Sequence, residues 1–98
     1  MWFINSKKII DMKIAVWDTY VERTNGTKMH FDILVPENVK EEAKIYGFGK
    51  KYLESKPFKT GMLSSKECSF CHFENTTNTI EEEIHKNGFY ILEMENCD

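Results

Sequence analysis

The sequence predicts a small α+β domain, and three observations carry that reading. Two β-rich runs flank an Asn-Gly turn, a helical stripe follows them, and a second short helix leads into a last apolar strand. The implied order is β-β-α-(β)-α-β, a mostly antiparallel sheet with its helices on one face. A chain of 98 residues holds one domain. It has room for one sheet, one or two helices and a shallow site, and size excludes large cofactor-binding folds and barrels.

The first strand is predicted at Lys13–Glu22 and the second at Lys28–Val35, both rich in β-branched and aromatic residues. Asn25-Gly26 between them is a strong hairpin signal, because a type I′ turn needs φ > 0 at both central residues. With Asn25 and Gly26 as a two-residue loop, Tyr20 faces Phe31 and Val16 faces Val35. Met29 and Ile33 join that face as core. The other face then carries Trp17, Val21 and Leu34, with Thr19 opposite Asp32 and His30 diagonal to Thr19. Thr19, His30 and Asp32 are the polar cluster this register predicts. It sets Asp18 and Asp32 on opposite faces, which counts against joint acid–base work by the two.

Pro36 ends the second strand, and Asn38-Val39-Lys40-Glu41 resembles a capping box with Asn38 as N-cap. Val39, Ala43, Tyr46 and Leu53 form one helical stripe, widened by Ile45, Phe48 and Tyr52. Gly47 and Gly49 inside it each cost about 1 kcal/mol relative to Ala, and they mark either a kink or a close contact with the sheet. Pro57 closes this helix. Thr60–Lys66 is turn-rich, with a short strand expected at Met62-Leu63, and Cys68–Thr79 reads as a polar loop. Thr79-Ile80-Glu81-Glu82 is a second capping box, opening a helix that runs to Asn87. Gly88 suits the position after the helix, and Glu81, Glu82 and Glu83 complement its dipole. Phe89–Met94 is the last strand. Residues 1–11 read as an N-terminal extension before a single domain at 12–98, the alternative being a short extra strand at Trp2–Ile4.

Hydrophobic residues make up 41% and charged residues 30% of the chain, an ordinary folded composition. Net charge is −3, divided between +3 over residues 1–71 and −6 over residues 72–98. No basic stripe emerges, so a nucleic-acid partner is not expected. The acidic last quarter disfavours an anionic membrane surface, and no apolar run approaches the ~18 residues needed to cross a bilayer. Three cysteines, an odd number, without an export-type apolar segment argue for the cytoplasm over a secreted disulfide framework.

The loud motif is Cys68-Ser69-Phe70-Cys71-His72. Taken literally, C-x-x-C-H is a haem attachment site. Haem is disfavoured because attachment takes place outside the cytoplasm and because the motif lies late in a β-rich chain. Cys-x-x-Cys is also half of many zinc sites, since the spacing lets both thiolates reach one tetrahedral ion. Cys97, His30 and His85 are the further soft ligands on offer, Cys97 or His30 ahead of the rest; His72 is awkward on the same ion. A redox dithiol would want the support of a helix N-terminus, which Phe73–Asn78 does not promise. The weightiest reading is that Cys68 and Cys71 pack as small apolar residues beside Phe70 and Phe73. His85, on the short helix, is expected to face solvent.

Val16-Trp17-Asp18-Thr19-Tyr20-Val21, Met29 to Pro36, Cys68 to His72 and Asn87-Gly88-Phe89-Tyr90-Ile91 together resemble a small bacterial family known only as a domain of unknown function. The likeness spans about residues 12–97 and implies a compact α+β fold, with no activity attached. Gly47-Phe48-Gly49 is unusual where that pattern leads one to expect a continuous helix. The sequence thus points to a non-catalytic cytoplasmic binding or interaction module, compatible with a homodimer through a sheet edge or apolar face. No cofactor is expected. The alternative is a zinc-binding or thiol-redox protein using Cys68 and Cys71. The candidate site is Cys68, Cys71 and His72, with His30, Asp32 and Thr19.

Overall fold

The computed structural model describes residues 13–98. The expected extension at 1–11 and the alternative strand Trp2–Ile4 lie outside the described residues. The elements are β1 (Lys13–Glu22), β2 (Lys28–Pro36), α1 (Glu42–Glu54), β3 (Cys68–Asn75), α2 (Asn78–Asn87) and β4 (Tyr90–Glu95). The four strands form one antiparallel sheet in the order β3-β1-β2-β4. None of the described helices is long and apolar enough to cross a membrane.

The hairpin turn is one residue longer than the sequence reading allowed. Arg23 N–H donates to Thr27 O at 2.8 Å and Gly26 N–H to Arg23 O at 2.9 Å. Gly26 takes φ +92°, a left-handed conformation that glycine adopts freely. The Asn25 side chain accepts from the Thr27 backbone and hydroxyl rather than serving as a type I′ residue. This is the three-residue hairpin loop that ends on a left-handed glycine. The register becomes Trp17↔Ile33, Asp18↔Asp32 and Thr19↔Phe31. A slip of one residue exchanges the partners' faces, so Tyr20 does not face Phe31 and Val16 does not face Val35.

The helices lie on opposite faces of the sheet, not on one. Ala15, Trp17, Val21, Met29, Phe31, Ile33 and Val35 point to the α1 side and pack with Ile45, Tyr46, Phe48 and Tyr52. Ile14, Val16 and Leu34 point the other way and pack with Ile80 and Ile84 of α2 and with Tyr90. Both helices can therefore bury a stripe, and the central hairpin is covered on two sides.

Helix α1 starts at Glu42, and its N-cap Glu41 makes no side-chain cap. Asn38 does not open it, because Pro36 O accepts from Val39 N–H in a turn before the helix. The helix is continuous, and Gly49 is the glycine with a packing reason: an added Cβ would sit 3.1 Å from Ile33 Cδ1 and closer still to Leu63. Ala43, expected in the apolar stripe, is exposed. Helix α2 is capped by Thr77, whose hydroxyl accepts from Ile80 N–H at 3.3 Å, and not by Thr79. Gly88 closes it with φ +89°. His85 is exposed as expected, while Glu81 is buried beside it.

Strand β3 replaces the expected polar loop, and no strand forms at Met62-Leu63. The reason is a bulge. Val16 pairs with His72 and Trp17 with Phe70, which leaves Cys71 as an extra residue. The strand's apolar positions therefore miss a beat. Phe70 and Phe73 share the α1 face although they stand three apart, so simple alternation hides the strand. Strand β4 carries a second bulge, at Met94, opposite His30 and Phe31.

Candidate functional site

The α2 face changes character along its length. Ile14 and Val16 on β1 give way to Asp18 and Tyr20, and Leu34 on β2 gives way to Asp32 and His30. Helix α2 has 10 residues and spans about 15 Å, less than half the length of the 10-residue strand β1. It packs on the apolar half, and on the polar half Asp18 and Tyr20 reach solvent while Asp32 is buried. The two bulges flank that polar half.

Asp18 and Asp32 are direct cross-strand partners, and His30 lies two residues from Asp32 on the same face. His30 Nε2 is 3.5 Å from Asp32 Oδ1 and 3.8 Å from Asp18 Oδ1. One ligand atom from each residue lies within 4.8 Å of the other two. Tyr20 stacks on the His30 ring at 4.1 Å between centroids, nearly parallel, which fixes the ring plane. Burial and the neighbouring Asp18 carboxylate push the Asp32 pKa up to about 6, partly offset by His30. Like charges placed directly across a ladder are destabilising, so this pair is an expense the fold retains.

Thr19 does not belong to the cluster. It is fully buried on the α1 face, where its hydroxyl donates to Trp17 O at 3.3 Å and to Cys68 Sγ at 3.4 Å. Asp18 takes its place, and the register that the sequence suggested had put Asp18 on the wrong face. The signal was present: a three-residue loop ending at Gly26 pairs Asp18 with Asp32.

The C-x-x-C pair is split. Cys68 is buried against Thr19, whereas Cys71 sits in the exposed bulge with His72 Nδ1 3.1 Å from its sulfur. Burial pushes the Cys68 thiol above its ordinary value. Cys71 is also held high, by partial desolvation and by the Asp18, Asp32 and Glu74 carboxylates. Neither thiol is activated toward thiolate, the form that attacks disulfides or binds zinc. His72 pairs through Nε2 with Glu74 at 2.5 Å on the open surface. Cys97 packs at the opposite edge of the sheet, near β2 and β4, and its thiol donates to His30 O and Glu95 O at 3.4 Å. The structure therefore gathers His30 and Asp32 with Asp18, with Cys71 and His72 alongside, and leaves Thr19, Cys68 and Cys97 elsewhere.

A second feature lies on the α1 face. Ala15, Trp17, Val39, Phe70 and Phe73 line an apolar cleft of about 240 Å³ beside β3, whose outer edge is unpaired among the described residues. Phe70 and Phe73 are 44% and 51% exposed, a large apolar presence on an edge strand.

Comparison with known proteins adds the following. A family model described as a domain of unknown function (DUF2024) matches residues 12–94. An NMR structure of protein NE1680 from Nitrosomonas europaea, a structural genomics target, is similar with 37% identity and a TM-score of 0.73. The match covers 89% of this chain and 100% of that one. No curated protein matches.

Proposed function

The chain belongs to the DUF2024 family of domains of unknown function, and from the sheet edge that the described residues leave unpaired we propose that it is a binding module working as a pair of identical chains. The observation that carries this reading is strand β3. It is an edge strand, its segment Cys68–Asn75 contains no Lys or Pro, and it exposes two phenylalanines next to an apolar cleft. Natural edges are ordinarily blunted by such residues, or covered.

A second copy of β3 suits this edge by symmetry. An antiparallel contact of a strand with itself is what a two-fold axis generates. With the axis between Cys71 and His72, Phe70 of one copy falls opposite Phe73 of the other. Both rings lie on the α1 face because of the bulge, so the four phenylalanines would close over the two clefts. The chain's three unpaired thiols fit a reducing compartment, and we place the pair in the cytoplasm.

Sedimentation equilibrium of the full chain at tens of micromolar tests the reading. The expected result is a dimer, with Phe73→Lys monomeric and still folded by circular dichroism. A monomer at every accessible concentration, or a dimer undisturbed in Phe73→Lys, would overturn it.

A further inference from the structure

We infer that Asp18, His30 and Asp32 form a binding site for a divalent first-row transition-metal cation, on the sheet face opposite the β3 cleft. The inference is independent of the dimer. It rests on three observations about one cluster.

The first is geometry. The separations of 3.5 and 3.8 Å from His30 Nε2 to the two carboxylates are too long for hydrogen bonds. They are close to the edge of a coordination tetrahedron. Metal–ligand bonds of about 2.1 Å at tetrahedral angles set neighbouring ligand atoms roughly 3.4 Å apart. The third separation, between the Asp18 and Asp32 oxygens, is within 4.8 Å, and rotation of the more exposed Asp18 carboxylate would draw the three atoms around one ion.

The second is unmet bonding. Asp32 is only 8% exposed, and its Oδ1 is buried without a hydrogen-bond partner. His30 Nε2 is likewise buried without one. Both atoms face the same small space, together with Asp18. Buried polar atoms left without partners destabilise the fold; a single cation would satisfy both at once and neutralise the Asp18–Asp32 repulsion. A proton on His30 Nε2 could serve only one carboxylate, and at poor distance.

The third is rigidity. The three ligands stand on the two central strands of the sheet, where ladder bonds on both sides hold them, and Tyr20 fixes the imidazole plane. Ligands on strands are held in place better than ligands on loops.

The donor set selects the class. One imidazole nitrogen and two carboxylate oxygens suit zinc and its first-row neighbours better than soft, thiolate-seeking ions. Three protein ligands leave a fourth position for water or a bound molecule. Asp18 is the most accessible of the three, with a side chain 34% exposed, so that position opens toward solvent on its side. The Cys71 thiol borders the site beside Asp18.

The test uses full-length chain stripped with EDTA and titrated with Zn²⁺ against a chromophoric chelator. The expected result is stoichiometric binding that weakens by at least about tenfold in Asp18→Asn and in Asp32→Asn. Cys71→Ser and His72→Gln should bind as the parent does. Co²⁺ substitution gives a readout that needs no variant: visible d–d bands without a thiolate charge-transfer band. The inference would be overturned by no binding up to about 100 µM free Zn²⁺, by unchanged affinity in the folded Asp→Asn variants, or by a Co²⁺ spectrum carrying thiolate charge transfer.

Discussion

Asp32 stands directly across the ladder from Asp18 and two residues from His30. Its position on a strand and its nearness to His30 follow from the pattern of β2. Its direct partner, Asp18, depends on the length of a turn several residues away. The pair carries a cost that pH should reveal. The folded-state pKa of Asp32 is raised from 3.8 to about 6, first by burial and then by Asp18. The folded state therefore holds that proton more tightly than the unfolded state, and its contribution to stability is lost as pH rises through about 6. Asp32→Asn removes the cost. Urea unfolding in EDTA should show the variant more stable than the parent by about 1–2 kcal/mol at pH 7.5, after allowance for solvent screening. The gain should shrink as pH falls through about 6 and disappear only below the unfolded value of 3.8, and a variant equally favoured at both extremes would separate the effect from ionisation. With zinc added at pH 7.5 the variant's advantage should shrink, because the parent binds the ion at least about tenfold more tightly and gains more binding free energy.

Strands β1 and β2 stand where their β-branched and aromatic runs place them. Strand β3 was invisible because Cys71 breaks the period-two pattern and puts Phe70 and Phe73 on one face. The Asn38 capping box is outcompeted by a turn on Pro36, and Thr77 precedes Thr79 as a cap; both are local choices among neighbouring hydroxyl or amide side chains that spacing alone cannot rank. The two glycines of α1 make a test of packing against propensity. Gly47 has open space around it, whereas a Cβ on Gly49 would press on Ile33 and Leu63. Gly47→Ala should raise stability by about 0.5–1 kcal/mol through helix propensity. Gly49→Ala should lower it by about 1 kcal/mol, since overpacking of about 1–3 kcal/mol outweighs the same gain. Thermal melts of the two variants should thus move in opposite directions; a parallel shift would mean that α1 does not approach the sheet as described.

The whole molecule is organised by the register of the central hairpin. Because the loop has three residues rather than two, odd-numbered residues of β1 and β2 share the α1 face and even-numbered residues of both share the α2 face. The same choice builds an apolar cleft on one face and an unpartnered His-carboxylate cluster on the other. From sequence, the α+β class, the element order and the placing of His30 and Asp32 on one face of β2 could be read. The division of the helices between two faces could not, since it follows from turn geometry and from a bulge. Of the account's claims, the cluster as a metal site is the central one, and the three histidines provide its most direct test. Long-range ¹H–¹⁵N correlation spectra of the imidazole rings, recorded while Zn²⁺ is added in less than stoichiometric amounts, report each ring separately. The account predicts that the His30 Nε2 resonance moves first, with His72 and His85 unchanged until His30 is saturated. A response that begins at His72 or His85, or a His30 ring indifferent to the metal, would contradict it.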